Sequence, residues 1–250
     1  MNNSSSALTA NKLKIMAIAL MLLDHFVVIF LPAETFLYMA LRVPTRIVAP
    51  VFCYLIAEGF FYTSNNERYI FRLLIFAFVS HIPFNLAFGY PLIPARLLQP
   101  ETSVIWTLVM GLAALTALKS EKIRVDLKLI ILAVCCIAAY EANWNYVAVL
   151  WIAAFGVFRG YIKRQILAFC VIGIVFHLTP VCLRFIRYDN ASLHWYQIGI
   201  FLAIPFLVLY NGKLGKKSKV ISWGFYVFYP AHLIVLYLLN RFTSLSEFFR

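Results

Sequence analysis

Charge is scarce in this sequence: 13% of its 250 residues are Asp, Glu, Lys or Arg, against about 25% in an ordinary soluble domain. With 63% hydrophobic residues and 23 phenylalanines, the shortage excludes a water-soluble globule. So much apolar side chain exceeds what one core of this length can hide, and lipid must cover the rest. Recognisable cofactor signatures are missing too. There is no GxGxxG, no Walker loop, no HExxH and no GxSxG. The glycines and lysines between Asn211 and Lys217 lack P-loop spacing and read as a basic turn whose physical use is to attract phosphate. The five cysteines, Cys53, Cys135, Cys136, Cys170 and Cys182, form no CxxC and keep no metal-like spacing to histidine. They read as small apolar helix fillers, and no metal site is expected. No internal repeat is evident, which weighs against an inverted-repeat transporter.

What is present is a succession of apolar windows near 12–31, 45–63, 69–89, 103–118, 125–140, 144–158, 163–182, 194–210 and 221–240. Each approaches the roughly 17–25 residues that a helix needs to cross a bilayer. The reading is an all-α bundle of about nine transmembrane spans. It falls to seven if the short fifth and sixth windows, joined by Glu141–Trp144, form only a partial hairpin. Residues 1–11 begin with an Asn/Ser-rich tail of disordered composition, and residues 12–250 form one membrane domain. The first window carries Asp24 and His25 and lacks a small-x-small cleavage site, so it reads as a retained span.

The net charge of +12 raises the question of nucleic acid. Its distribution gives another answer. Fifteen of the 22 lysines and arginines fall in one alternate set of segments, around Lys12, Arg68, Lys122, Lys163 and Lys216. Basic loops stay cytoplasmic because they resist translocation. The amino terminus is therefore expected inside and the carboxyl terminus outside, with anionic lipid as the charge partner and no nucleic acid.

Ionisable groups inside apolar helices cost about 2.5–3.5 kcal/mol each on insertion scales and are functional candidates by default. Asp24 and His25 lie late in the first span. Arg42 and Arg46 stand one helical turn apart at the entry to the second, and His81 and Asn85 bracket Pro83 near the far end of the third. Glu141, His177 and Arg184 lie at similar outer depth, whereas Glu58 and His232 are deeper or nearer the inside. Adjacent residues on a helix point about 100° apart. Asp24 is therefore expected to hold Arg46 or Arg42 on the next helix, which leaves His25 to face a cavity. Glu58 has two readings, a structural pair with a neighbouring Arg or Tyr, or the wall of a site. His81 has a structural reading as well, bonded to a carbonyl freed by Pro83.

Several of these stretches resemble the TraX family, bacterial membrane proteins linked to acetylation of conjugative pilin. The stretch Lys14 to His25 is similar to that family's first-helix motif. Arg46 to Gly59, with Pro50 and Phe52, resembles its second helix, and Tyr69 to Asn85 its third. Tyr210–Lys213 and Phe225 to His232, with Tyr229–Pro230, resemble its last two. The resemblance implies a multi-pass protein of the bacterial cytoplasmic membrane that moves acetyl from acetyl-CoA to an exported acceptor, with the amino terminus of pilin as the family's best-known acceptor. On that reading His25 is the base, Asp24 and Arg46 orient the site, and His232 or His81 assists. Arg72, Lys213, Tyr229 and Glu58 are assigned to the donor. A surface-glycan hydroxyl as acceptor, and a non-enzymatic transporter or assembly scaffold with Asp24, Glu58 and His232 relaying protons, remain the alternatives.

Overall fold

A computed structural model describes residues 8–33, 35–91, 102–187, 194–216 and 219–242. Of the tail read as disordered, residues 1–7 lie outside this set. Leu8 is already ordered, forming an isolated parallel bridge to Tyr210. Between short turns the described residues are helical, with no strand among them.

Helix α1 (Ala10–Phe30) starts where Thr9, in extended conformation, accepts a hydrogen bond from the Lys12 amide. It stops one residue short of Pro32. Helix α2 (Phe36–Thr45) is capped in the same way by Thr35, and α3 (Val48–Tyr62) continues it after two residues. The break has a chemical cause. Pro44 and Pro50 each lack an amide donor, and the turn between them tightens so that the Arg46 and Ile47 amides reach back three residues to Val43 and Pro44. Helix α4 (Asn66–Phe88) begins at an Asn65 cap and ends on Gly89, whose φ of 72° is the left-handed conformation that glycine adopts without a Cβ penalty.

Helices α5 (Val104–Lys119), α6 (Val125–Ala138) and α7 (Asn145–Val157) follow. Helix α8 (Ile162–Ile172) runs through one π-helical turn, Gly173–Leu178, into α9 (Thr179–Arg187). A 3₁₀ stretch, Trp195–Leu202, leads into α10 (Ala203–Val208), and α11 (Lys219–Phe242) closes the described chain.

Every apolar window holds helix. Five segments are long and apolar enough to cross a membrane: Ala10–Phe30, Phe36–Tyr62, Asn66–Phe88, Ile162–Arg187 and Trp223–Phe242. The others are shorter. The 16 residues of α5 span only about 24 Å of a hydrocarbon layer about 30 Å thick. Helices α5 and α7 form the dry centre of the bundle, and small residues let them approach. A Cβ on Gly111 would lie 2.4 Å from Ile152, and one on Gly156 2.3 Å from Leu115. Leu112, Leu115, Trp151 and Phe155 are fully buried there. On the perimeter, Phe71, Phe78, Ile137 and Ile186 are exposed, as side chains facing acyl chains would be.

The basic segments collect at one end of the bundle. Lys119 donates to the Val157 carbonyl, Arg159 pairs with Glu58, and Tyr62 donates to the Gly212 carbonyl. Asp24, Arg42, Tyr196 and Trp144 gather at the other end.

Candidate functional site

One carboxylate oxygen organises the far end of α1. Asp24 Oδ1 accepts from Thr45 Oγ1 at 2.6 Å and from Arg42 Nε at 3.2 Å, and it also takes a hydrogen bond from Arg46 Nη2. The spacing makes this possible, because Arg42, Thr45 and Arg46 stand three and four residues apart and so share the face of α2 turned to α1. Arg42 is held further by Tyr38 and Tyr196, whose hydroxyls accept from Nη1 at 2.7 and 3.1 Å. The Arg46 guanidinium lies over the Trp144 ring at 5.4 Å and over Tyr196 at 5.6 Å. The expectation named Arg46 or Arg42 as the partner of Asp24, and the structure brings both. Arg46 is 6% exposed, and its Nε is a buried donor with no hydrogen-bond partner among the described residues.

His25, the next residue, points elsewhere, as the 100° step requires. Its Nδ1 lies 2.7 Å from Nε2 of His232 on α11, with the two ring planes within 8° of parallel. His232 Nδ1 is 2.8 Å from the Phe228 carbonyl oxygen. That oxygen only accepts, so Nδ1 of His232 carries the proton. Nε2 of a neutral His232 must then accept, and Nδ1 of His25 must donate. The chain of bonds leaves Nε2 of His25 as the atom with a free lone pair. Both rings are buried, with Phe88 and Tyr229 standing edge-on to His25 at 5.2 and 6.2 Å.

A cavity of about 340 Å³ runs inward from the basic end as far as Tyr229, beside this pair; neither imidazole lines it. Five helices line it, and Lys14, Ile18 and Met21 on α1 are spaced so that the same stripe continues to His25. Its inner mouth carries Lys14, Thr63 and Arg72. Its deep end reaches Tyr229, whose ring contacts both histidines.

Of the residues assigned to the donor, Arg72 and Tyr229 therefore line one cavity. Glu58 lines a smaller neighbouring one of about 250 Å³ and makes a two-pronged pair with Arg159, at 2.9 and 3.3 Å. Hydrogen bonding to Glu58 raises the pKa of Arg159. Lys213 lines neither cavity. Its side chain is exposed, while its carbonyl accepts from the Ala10 amide. His81 takes a 3.3 Å hydrogen bond from Asn85, one turn away on α4, and no ring contact joins it to the imidazole pair among the described residues.

A second cavity, about 600 Å³, opens at the opposite end beside Tyr140, Tyr146, His177 and Arg184. Trp144 touches both Arg46 and His177, a residue of the cavity wall. One face of the indole meets the guanidinium, and His177 stacks on the ring at 5.1 Å. Trp144 and Asn145 adopt φ of 64° and 34°, a conformation uncommon outside glycine. Such strain tends to sit at functional positions. Residue-type reasoning missed Trp144, Tyr196 and Thr45, which carry no charge. The unusual backbone at 144–145 has no signal in the sequence.

The model of the TraX protein family matches residues 9–240. A relative described as "Probable fimbrial assembly protein FimC, serogroup H1", from Dichelobacter nodosus, is 28% identical over 231 residues, covering 91% of this chain and 94% of its own length. No solved structure matches. With a family match that spans nearly the whole bundle and all five long helices, this chain belongs to the TraX family.

Proposed function

We propose that this protein is a membrane-embedded acetyltransferase that moves an acetyl group from cytosolic acetyl-CoA to an exported pilin amine. The observation that carries the reading is the bond chain Phe228 O–His232–His25, which leaves a directed lone pair on His25 Nε2. Asp24, the residue before His25 in the chain, holds a buried cation with a donor to spare, Arg46. Acyl transfer needs a base for the acceptor's proton and a positive group for the developing oxyanion. His25 Nε2 takes a proton from the acceptor nitrogen as that nitrogen attacks the thioester carbonyl. The tetrahedral oxyanion is stabilised by Arg46. When it collapses, the carbon–sulfur bond breaks and the thiolate leaves with the proton returned by His25. Asp24 fixes Arg46 and takes no proton. On this reading the basic end of the bundle faces the cytoplasm, because basic loops resist translocation, and the second cavity faces the acceptor.

The fimbrial-assembly description of the relative supports a pilus component as acceptor. A glycan hydroxyl is the second reading, favoured by the stacked Tyr140–Tyr146 pair at the second cavity, because aromatic faces suit sugar rings.

The test is His25→Ala, with insertion of the protein confirmed, followed by mass spectrometry of pilin and envelope glycan. Loss of one acetyl group from pilin is expected. Undiminished acetylation of both would remove His25 from the mechanism.

A further inference from the structure

The cavity at the basic end is more than an entrance. Lys14 and Arg72 meet at its mouth from different helices, and neither has an ion-pair partner among the described residues. Each is held in place by aromatic rings instead. Lys14 Nζ lies over Phe225 at 5.1 Å. Arg72 donates from Nε to the Tyr226 hydroxyl at 3.1 Å, and its guanidinium lies over the Tyr226 ring at 5.2 Å. These contacts orient the two cations and leave their charge unneutralised. A cavity mouth with two such groups, Lys14 half-buried and Arg72 exposed, selects a polyanion.

Beyond them the walls turn apolar, through Ile18, Met21 and Leu108, and end at Tyr229, whose ring stands against both members of the imidazole pair. Lys14 and His25 are eleven residues apart on one helix, about 16 Å along its axis. A pantetheine arm has about fourteen bonds from phosphorus to the acetyl carbonyl carbon. At the extension of a peptide chain, about 3.4 Å for every three bonds, it also spans about 16 Å.

We infer that Lys14 and Arg72 hold the diphosphate of a pantetheine thioester, whose arm fills the cavity and delivers its acyl carbon to His25. The inference rests on the acetyltransferase reading and adds to it a binding site, with Lys14 as a ligand that residue type alone did not suggest. An anionic lipid whose head sits between the same two cations and whose chain lies in the same passage shares this chemistry, so the source must be separated by experiment.

Calorimetry on the purified full chain in detergent micelles does so, with coenzyme A, pantetheine, inorganic pyrophosphate and micelles doped with phosphatidylglycerol as probes. Lys14→Ala and Arg72→Ala are each expected to weaken coenzyme A by about tenfold, the effect of one charge-assisted contact. Binding of pantetheine, which lacks phosphate, should be the same in both variants as in the unaltered protein. Ile18→Phe narrows the passage without touching its mouth. It should weaken coenzyme A and spare pyrophosphate, and this arm remains decisive where Lys14→Ala fails to fold. Coenzyme A binding equally well to all variants overturns the site and leaves the acetyltransferase reading standing. Absence of coenzyme A binding to the unaltered protein, with phosphatidylglycerol binding that depends on Lys14 and Arg72, assigns the cavity to lipid and overturns both.

Discussion

Asp24→Asn isolates the electrostatics of the site, because it keeps the shape of the side chain and removes only its charge. Two guanidiniums share that charge. The side chains of Arg42, Arg46 and Asp24 are 13%, 7% and 16% exposed, so water screens little of the loss. Removing one partner of a buried ion pair costs about 3–5 kcal/mol, since it strands the opposite charge. Asparagine still offers one acceptor to Thr45, and the faces of Tyr196 and Trp144 remain against the arginines. The lower end, about 3 kcal/mol, is therefore expected. Adding Arg46→Gln removes the stranded cation, so the double variant should be more stable than the sum of the single effects by about 1 kcal/mol or more. Reversible unfolding in mixed detergent–SDS micelles reads all four proteins. An Asp24→Asn variant within about 0.5 kcal/mol of the unaltered protein, or strict additivity in the cycle, would refute the clamp; 0.5 kcal/mol is the size of an ordinary surface substitution.

Glu58→Gln provides the contrast. Arg159 is 33% exposed on its side chain, so solvent screens the pair and the same assay should register about 1 kcal/mol or less. Gly156→Ala forces a methyl group into Leu115 and is expected to cost about 1–3 kcal/mol, as overpacking does, with little change in activity per folded molecule. Gly199→Ala meets the Val43 carbonyl oxygen at 2.1 Å, which only a backbone shift relieves. That shift carries Tyr196 off Arg42, so both stability and acetyl transfer should fall. Replacing His25 should reduce the turnover of acetyl transfer by about 10²–10⁴, the usual contribution of a positioned base. His232→Ala should cost less, because His232 only orients its neighbour.

Much of the bundle was legible because lipid imposes a simple rule on composition: long apolar windows must be helices, and all nine windows are helical. Their lengths were less legible. Helices α5 and α7 pack through Gly111 and Gly156 in the centre, where neighbours replace lipid and a shorter helix suffices. The pairing of Asp24 with Arg42 or Arg46 followed from the cost of burying a lone charge. Glu58 was left between two roles because either satisfies the same cost, and its partner Arg159 lies 101 positions away.

Residue composition and spacing were enough for a membrane helix bundle, for the gathering of basic segments into one set of loops, and for the need of Asp24 to find a cation. Those follow from transfer free energies, which are properties of single residues and their spacing. It took the packed bundle to show that His25 meets His232 across 207 positions, that Lys14 and Arg72 share a cavity, and that Trp144 touches both Arg46 and His177. Those depend on which helix faces line one space. Many helix orders satisfy the same burial costs, and packing of particular side chains selects among them.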